Sequence, residues 1–526
     1  MADDRSTSFV KSETELGSAD IHPRDIRRTA AARLVPVAIL LALVLSIFLV
    51  FSVWAGVPGA ASMEVSVAEG EMATVGAYPR TEGATPGEML PRAYLPYVNR
   101  YLKPRTSVFG VQIWPGQGGS LADEAADVGA AWVRYGDVYW SKIEATQGQR
   151  DWSSLESFDR DLAALQGQGL NTSVIVLGAP EWAQKRPPYQ CGPIAEDALD
   201  DFASFMQDLV RRYSGPPYYI KHWELGNEPD IDPSFVQPNN FFGCWGDLGD
   251  PYYGGEYYAT MLKVVYPAIK AADPQAQVLI GGMLMDCDPG NPPENSPDNC
   301  LSGKFFEGIL KGGGGDYFDI VAYHAYPHWR DNGQDDDLDH FNWKHLGGSL
   351  LGKASHLRSV MASYGVDKPL LMNEGGLLCY PGSTHCPGDK FHHAQAAYAI
   401  KLYTRTWANG LLGSVWYTLN GPGWREGGLM DGSTPRPAYN AIKFFSGLLK
   451  DAQYRQTLLT GTWEAYAFAD GANTYLVYWS NTEADAGQIL APVGMQAVYD
   501  MFGTPLSGVT TLIPVGTDPV IIKLGE

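Results

Sequence analysis

The stretch Trp223-Glu224-Leu225-Gly226-Asn227-Glu228-Pro229-Asp230 decides the fold, because an apolar, strand-like run ends there with an amide and a carboxylate side by side. A second run, Pro369-Leu370-Leu371-Met372-Asn373-Glu374-Gly375-Gly376, carries an aliphatic strand pattern into one carboxylate followed by glycines. The core of a parallel barrel rejects carboxylates, and its functional groups lie at the C-terminal ends of the strands. Both stretches therefore favour a parallel barrel in which Glu228 and Glu374 share one pocket.

Eight strand-like runs with helical patterns between them extend this prediction to a complete α/β (β/α)8 barrel, also called a TIM barrel, over residues 105–450. Apolar residues at helical spacing predict helices over residues 197–213 and 257–272. The predicted strands cover residues 107–113, 131–135, 172–177, 219–225, 278–284, 318–323, 369–373 and 414–419.

The pattern changes after residue 450 to short alternating runs separated by Gly, Asn, Asp and Pro. It predicts a small all-β, β-sandwich-like accessory domain over residues 451–526, with strands at 463–468, 474–479, 497–501 and 520–524. No cluster of aromatic residues marks a sugar-binding platform there, so a structural role is favoured over carbohydrate binding.

Residues 34–57 are almost wholly apolar, and 24 helical residues at 1.5 Å each span about 36 Å, enough for a bilayer. The preceding cluster of Arg24, Arg27, Arg28 and Arg33 predicts a cytoplasmic tail over residues 1–33. A signal peptide cleaved near Ala60-Ala61-Ser62 is the alternative, but the apolar run is longer than a usual signal core. We therefore expect a transmembrane anchor in the cell membrane, a linker over residues 58–104, and an extracytoplasmic barrel.

Composition and motifs exclude several classes of function. The net charge of −21 and the pI near 4.9 disfavour nucleic acids and anionic membrane surfaces as partners, since both are bound by clustered Lys and Arg. The sequence has no Gly-x-Ser-x-Gly elbow, no phosphate-binding Gly-x-x-x-x-Gly-Lys followed by Ser or Thr, and no Cys-x2-Cys spacing. We therefore expect neither a cofactor nor a metal ion.

The six cysteines all follow the apolar segment, where an oxidising compartment permits disulfides. Cys287 with Cys300 and Cys379 with Cys386 are the economical local pairs, which leaves Cys191 with Cys244. This pairing is one of 15 possible connectivities.

Two carboxyl groups in one pocket suit cleavage of a glycosidic bond, where one must donate a proton and the other must be ionised. The chain resembles the retaining glycoside hydrolases of clan A, in which Asn-Glu-Pro ends barrel strand 4 and a second Glu ends strand 7. Family 39 is the most similar and family 5 the next, over residues 105–450. The resemblance implies that Glu228 is the acid/base, Asn227 contacts the sugar 2-hydroxyl and Glu374 is the nucleophile.

In this interpretation, repulsion from ionised Glu374 raises the pKa of Glu228. The alternative is that Glu228 caps a turn and Glu374 is a surface charge.

Other strand ends supply candidate substrate-binding residues. His324 and Tyr326 share one face by strand alternation, and in the related hydrolases the Tyr of this motif bonds the nucleophile. Arg134 lies in an otherwise apolar run and needs an anion, either Glu374 or a partner at the barrel rim. Trp182 and Trp416 occupy positions where the similar families place sugar-stacking rings, although core packing also explains a buried Trp.

Together with the apolar segment, the resemblance implies a retaining hydrolase of an extracytoplasmic oligo- or polysaccharide that acts through a glycosyl-enzyme intermediate. The alternative is a catalytically silent polysaccharide-binding protein of an envelope polymer assembly or secretion system. The presence of both Glu228 and Glu374 argues for the enzyme, because a binding protein has no need of the pair.

Overall fold

A computed structural model describes residues 107–116, 118–238, 243–294, 299–380 and 382–525, together with Asn240 and Ser296. The predicted tail, anchor and linker over residues 1–33, 34–57 and 58–104 lie outside this part of the chain. Among the residues that are described, no helix combines the length and the apolar character needed to cross a membrane.

Eight parallel strands form the central sheet, which confirms the predicted barrel architecture. Its order is β5-β4-β3-β2-β1-β10-β8-β6, and the parallel bridges Leu279–Ile320 and Met283–Tyr323 join the two edges and so close the sheet. The strands are β1 (Phe109–Ile113), β2 (Trp132–Tyr139), β3 (Asn171–Leu177), β4 (His222–Asn227), β5 (Gln277–Gly282), β6 (Val321–Ala325), β8 (Leu370–Gly375) and β10 (Ser414–Trp416). A short parallel pair, β7 (His328–Trp329) and β9 (Leu378–Cys379), lies beyond the ends of β6 and β8.

Helices connect successive strands and bury one face against the sheet. In the helix Leu199–Tyr213, the buried side chains include Phe202, Met206 and Leu209, which recur at helical spacing. The two predicted helices are confirmed. The helices are α1 (Gly118–Asp127), α2 (Trp140–Ile143), α3 (Glu156–Gly167), α4 (Leu199–Tyr213), α5 (Gly255–Ala272), α6 (Phe305–Lys311), α7 (Gly348–Ser363), α8 (Asp389–Ala408) and α9 (Pro437–Leu448).

The chain after α9 forms antiparallel β-structure, preceded by the small ribbon of β11 (Met430–Asp431) and β12 (Thr434–Pro435). Its five-stranded sheet has the order β13-β14-β15-β19-β17, and a two-stranded sheet pairs β16 with β18. The strands are β13 (Gln453–Leu459), β14 (Trp463–Ala469), β15 (Thr474–Ser480), β16 (Gly487–Leu490), β17 (Met495–Tyr499), β18 (Leu512–Val515) and β19 (Val520–Leu524). The four predicted strands are present. β13, β16 and β18 were not predicted, and β13 is an almost wholly exposed edge strand without an apolar alternation.

The five-stranded sheet packs on the barrel through α8. Alternation along β14 turns Tyr466 and Phe468 toward the main core and Ala467 toward a second, smaller core. Arg405 of α8 is fully buried and bonds both carboxylate oxygens of Glu464 on β14, at 2.6 and 3.2 Å. The same guanidinium bonds Asp335 in the loop after β7, so one cation joins the sheet to two parts of the barrel.

All six cysteines form disulfides, and the predicted pairing is confirmed. The bonds join Cys191 to Cys244, Cys287 to Cys300 and Cys379 to Cys386. Each bond lies in loops that follow barrel strands, on the side of the barrel where those strands end.

Candidate active site

Glu228 and Glu374 lie together at the C-terminal ends of the strands. Glu228 directly follows β4, and Glu374 is the penultimate residue of β8. A carboxylate oxygen of one lies within 4.8 Å of a carboxylate oxygen of the other. Glu228 has a φ of +47°, an uncommon value for a residue other than glycine, and such strained residues cluster at functional sites.

Arg134 on β2 connects the two strands that lead to these glutamates. Its guanidinium bonds Glu374 and donates to the Asn227 side-chain oxygen at 2.6 Å. It also pairs with both oxygens of Glu224 on β4, at 2.8 and 2.9 Å, and with Gln112 at 2.9 Å. The predicted anion is therefore present, and a second carboxylate, which the sequence argument overlooked, shares the same cation.

Tyr326 and His324 reach one glutamate each. The Tyr326 hydroxyl donates to Glu374 Oε1 at 2.5 Å, and His324 Nδ1 lies 2.9 Å from Glu228 Oε1. His324 is fully buried and lies on β6, whereas Tyr326 follows the end of that strand. The two side chains therefore hold the carboxyl groups in place from the same edge of the barrel.

Burial shifts the pKa values of Glu228 and of the neighbouring His324. Burial raises the pKa of Glu228 from 4.5 to about 7, against the opposing effect of the positive charges on Arg134 and Lys353. The expectation was that repulsion from Glu374 raises the pKa of Glu228. The structure corrects this, because burial is the largest cause of the rise. Burial also lowers the pKa of His324 to about 4, so the imidazole beside Glu228 is neutral at pH 7.

Buried groups behind the pocket fix its backbone. Lys353 on α7 donates to the carbonyl oxygens of Leu284 and His324 at 2.6 and 2.9 Å, so it joins the chain after β5 to β6. Asp230 accepts hydrogen bonds from the backbone N–H groups of Leu284 and Met285 at 2.9 and 2.7 Å. Asp230 is 3% exposed, and its role here is to anchor the loop that follows Glu228.

A cavity of about 410 Å³ opens beside these groups, within the usual range for small-ligand sites. Its floor includes Arg134, Asn227 and Glu374, and its walls are mainly aromatic and aliphatic. The wall residues are Gln112, Trp114, Tyr139, Lys142, Ile175, Leu177 and Tyr417. Trp114 comes one residue after β1, so the rule that polar and aromatic groups gather at strand ends would have found it.

The two rings that were predicted to stack on sugars, Trp182 and Trp416, do not line the cavity. Trp416 is fully buried, and its indole N–H donates to the carbonyl oxygen of Gly427 at 2.7 Å. Trp182 packs edge-on against Trp140 and donates to the carbonyl oxygen of Glu144 at 3.2 Å. Neither ring is among the residues that line the cavity, because both are used in packing.

Among the residues that the structure describes, Glu228, His324 and Glu374 form a group whose ligand atoms are close enough to bind one metal ion. Each of the three already has a protein partner, however. The guanidinium of Arg134 bonds Glu374, so a metal ion here would lie against a fixed positive charge. The arrangement therefore suits a reaction in which two carboxyl groups act on a substrate better than it suits metal binding.

Known proteins resemble this chain in structure but not in sequence. The sequence matches no protein-family model and no curated protein. A family 39 glycoside hydrolase from Bacteroides cellulosilyticus is similar in structure, with a TM-score of 0.60 and 19% identity over 81% of this chain and 82% of that one.

Two xylanases are further structural neighbours. A GH30 endoxylanase from Clostridium papyrosolvens has a TM-score of 0.51 and 10% identity, and covers 81% of this chain and 97% of its own. The catalytic domain of GH30 xylanase C from Talaromyces cellulolyticus has a TM-score of 0.52 and 14% identity, over 80% and 97%. The chain therefore has the (β/α)8 fold of the clan A glycoside hydrolases, with enzymes of families 39 and 30 among its structural neighbours.

Proposed function

We propose that this protein is a retaining glycoside hydrolase that cleaves O-glycosidic bonds of an oligo- or polysaccharide. The observation that carries the proposal is the distance between Glu228 and Glu374, whose carboxylate oxygens approach within 4.8 Å. Retaining enzymes keep their two carboxyl groups about 5–5.5 Å apart, whereas inverting enzymes need about 6.5–9.5 Å to admit a water molecule. The short distance between the two oxygens supports the retaining mechanism.

The hydrogen-bond partners of each carboxyl group support its proposed role. Glu374 accepts hydrogen bonds from Arg134 and Tyr326, which hold its carboxyl group in place as the proposed nucleophile for the anomeric carbon. Glu228 has a pKa near 7, so it can give its proton to the leaving oxygen as the glycosyl ester with Glu374 forms. The resulting carboxylate then takes a proton from water, and the hydroxide that attacks the anomeric carbon releases Glu374.

Asn227 is the proposed contact for the sugar hydroxyl next to the anomeric carbon. Its side-chain oxygen is fixed by Arg134 at 2.6 Å, so the amide nitrogen is left to face the cavity that Asn227 lines. A hydrogen bond to that hydroxyl strengthens as charge develops on the ring in the transition state. Arg134 is thus a positioning residue for both Asn227 and Glu374.

Hydrolysis of a panel of aryl glycosides and polysaccharides tests the proposal, with xylan first because two structural neighbours are xylanases by description. NMR of the first sugar product should show retained configuration. Glu374→Ala should abolish turnover, and azide should partly restore it as a glycosyl azide of inverted configuration. Glu228→Ala should spare activated aryl glycosides more than natural sugars, and its azide product should retain configuration.

Two outcomes would contradict the proposal. Near-normal activity of both alanine variants on the identified substrate would show that these glutamates do not perform the reaction. Binding of a polysaccharide without turnover across the whole panel would instead favour the silent binding protein.

We also propose that the barrel is extracytoplasmic and anchored by residues 34–57. The support is the apolar run, the arginines before it, and three disulfides in the described part of the chain. Protease added to cells should remove the barrel and spare residues 1–33, after permeabilisation of an outer membrane where one is present. A barrel that stays protected until the cell membrane is broken would contradict this orientation.

A further inference from the structure

A row of aromatic rings extends from the nucleophile candidate to the surface of the protein. Tyr326, which bonds Glu374, meets the edge of Trp424 at a ring-centroid distance of 5.4 Å. Trp424 lies 6.2 Å from the ring of His328, and His328 lies 6.3 Å from that of Tyr380. We call Trp424, His328 and Tyr380 the outer aromatic strip.

Two members of the strip are exposed to solvent. Trp424 is 47% exposed and Tyr380 is 50% exposed, whereas Tyr326 at the inner end is 8% exposed. The strip lies beside the cavity, because the Tyr326 ring is 6.3 Å from the ring of Tyr417, which lines the cavity. Large rings that remain exposed next to a ligand cavity indicate a binding surface more often than packing.

The backbone under the strip is held in place. His328 belongs to β7, which pairs with β9, and the disulfide Cys379–Cys386 closes the loop that carries Tyr380. Trp424 begins the short turn Trp424–Glu426, and the carbonyl oxygen of Glu426 accepts a hydrogen bond from the Gln395 side chain at 2.9 Å. The rings are therefore presented on a fixed scaffold and need little reordering to bind a ligand.

The chemistry of the strip fits a sugar chain. The axial C–H groups of a pyranose ring form an apolar face that packs on an aromatic ring, while its hydroxyl groups stay in water. Neighbouring rings of the row are nearly perpendicular, at interplanar angles of 80–85°. The two exposed rings, Trp424 and Tyr380, can therefore contact different units of one chain. A small disaccharide in the cavity would leave Trp424 and Tyr380 without a role.

We propose that the outer aromatic strip binds sugar units beyond the bond that is cleaved, so that the natural substrate is a linear polysaccharide. This inference rests on the proposed hydrolase function. It predicts that affinity and kcat/KM rise with the length of the chain, because longer chains reach Trp424 and then Tyr380.

Binding can be tested without turnover in the full-length variant Glu228→Gln, which lacks the acid/base carboxyl group but keeps the bonds to Glu374. Affinity electrophoresis in gels with xylan, mixed-linkage β-glucan, glucomannan or arabinan should show retardation by at least one polymer. Adding Trp424→Ala or Tyr380→Ala should weaken that affinity about tenfold each. Tyr364→Ala is the matched control, since Tyr364 is 38% exposed and lies between α7 and β8, at the opposite end of the barrel.

Unchanged retardation in the strip variants would overturn the inference, and so would the absence of retardation by all four polymers. These results are separate from the test of the hydrolase function. If the enzyme hydrolyses aryl glycosides but the strip variants bind polysaccharide as well as the parent, only the inference about the outer aromatic strip is refuted. If the outer aromatic strip contributes to polysaccharide binding but no glycoside is hydrolysed, only the proposed hydrolase function is refuted.

Discussion

The change Glu228→Gln tests whether burial controls the ionisation of this carboxyl group, and the test needs no substrate. Glu228 is 8% exposed, and burial is the largest cause that raises its pKa from 4.5 to about 7. The folded protein therefore favours the protonated form, and ionising the group in the fold costs free energy. Glutamine has nearly the same shape and avoids that cost.

The size and sign of the effect follow from the two pKa values. Below pH 4.5 the group is protonated in both the folded and the unfolded state, so it costs nothing. Between pH 4.5 and 7 the unfolded chain loses the proton first, and the stability of the wild-type protein falls as the pH rises. Above pH 7 the cost stays constant at about 3 kcal/mol, from about 1.36 kcal/mol for each unit between the two pKa values.

Urea unfolding of the wild-type protein and Glu228→Gln at pH 5 and pH 8 measures this difference. The variant should be more stable by about 3 kcal/mol at pH 8 and by less than about 1 kcal/mol at pH 5. Glu181→Gln is the matched control for the loss of a charge, because Glu181 is exposed. An advantage for Glu228→Gln that is equal at the two pH values would refute the reasoning.

Three further predictions concern two buried arginines and the disulfides. Arg134→Met should lower the free energy of unfolding by roughly 3–5 kcal/mol, because two carboxylates lose the cation they share, and adding Glu224→Gln should reduce that loss. A decrease of less than about 1 kcal/mol in the free energy of unfolding of Arg134→Met, measured in urea, would contradict this prediction. Arg405→Met should cost a similar roughly 3–5 kcal/mol, since Glu464 and Asp335 stay buried without it, and a change in the urea midpoint checks this. Mass spectrometry of non-reduced peptides should recover the three disulfide-linked pairs, and free thiols would contradict them.

The barrel and the two glutamates were predictable because the information is local. Several barrel strands, such as β3 and β8, are short apolar runs that end in polar or glycine positions, and that change is visible in the sequence. Even so, β4 runs two residues beyond its predicted end at residue 225. Asn227 is the last residue of β4 and pairs with Gly282 of β5, because a polar residue at a strand end still joins the ladder.

The sequence by itself determined the (β/α)8 fold and the positions of Glu228 and Glu374 at strand ends, since both follow from periodicity along the chain, and it favoured one disulfide pairing among 15. Only the tertiary structure decided how those residues are used. Arg134 meets Glu224 and Glu374 across 90 and 240 positions of sequence, and no local pattern states which carboxylate a buried guanidinium will reach. The burial of Trp416 and the exposure of Trp424 likewise depend on distant packing, and so does the raised pKa of Glu228, because a residue's burial is set by the chain that folds around it.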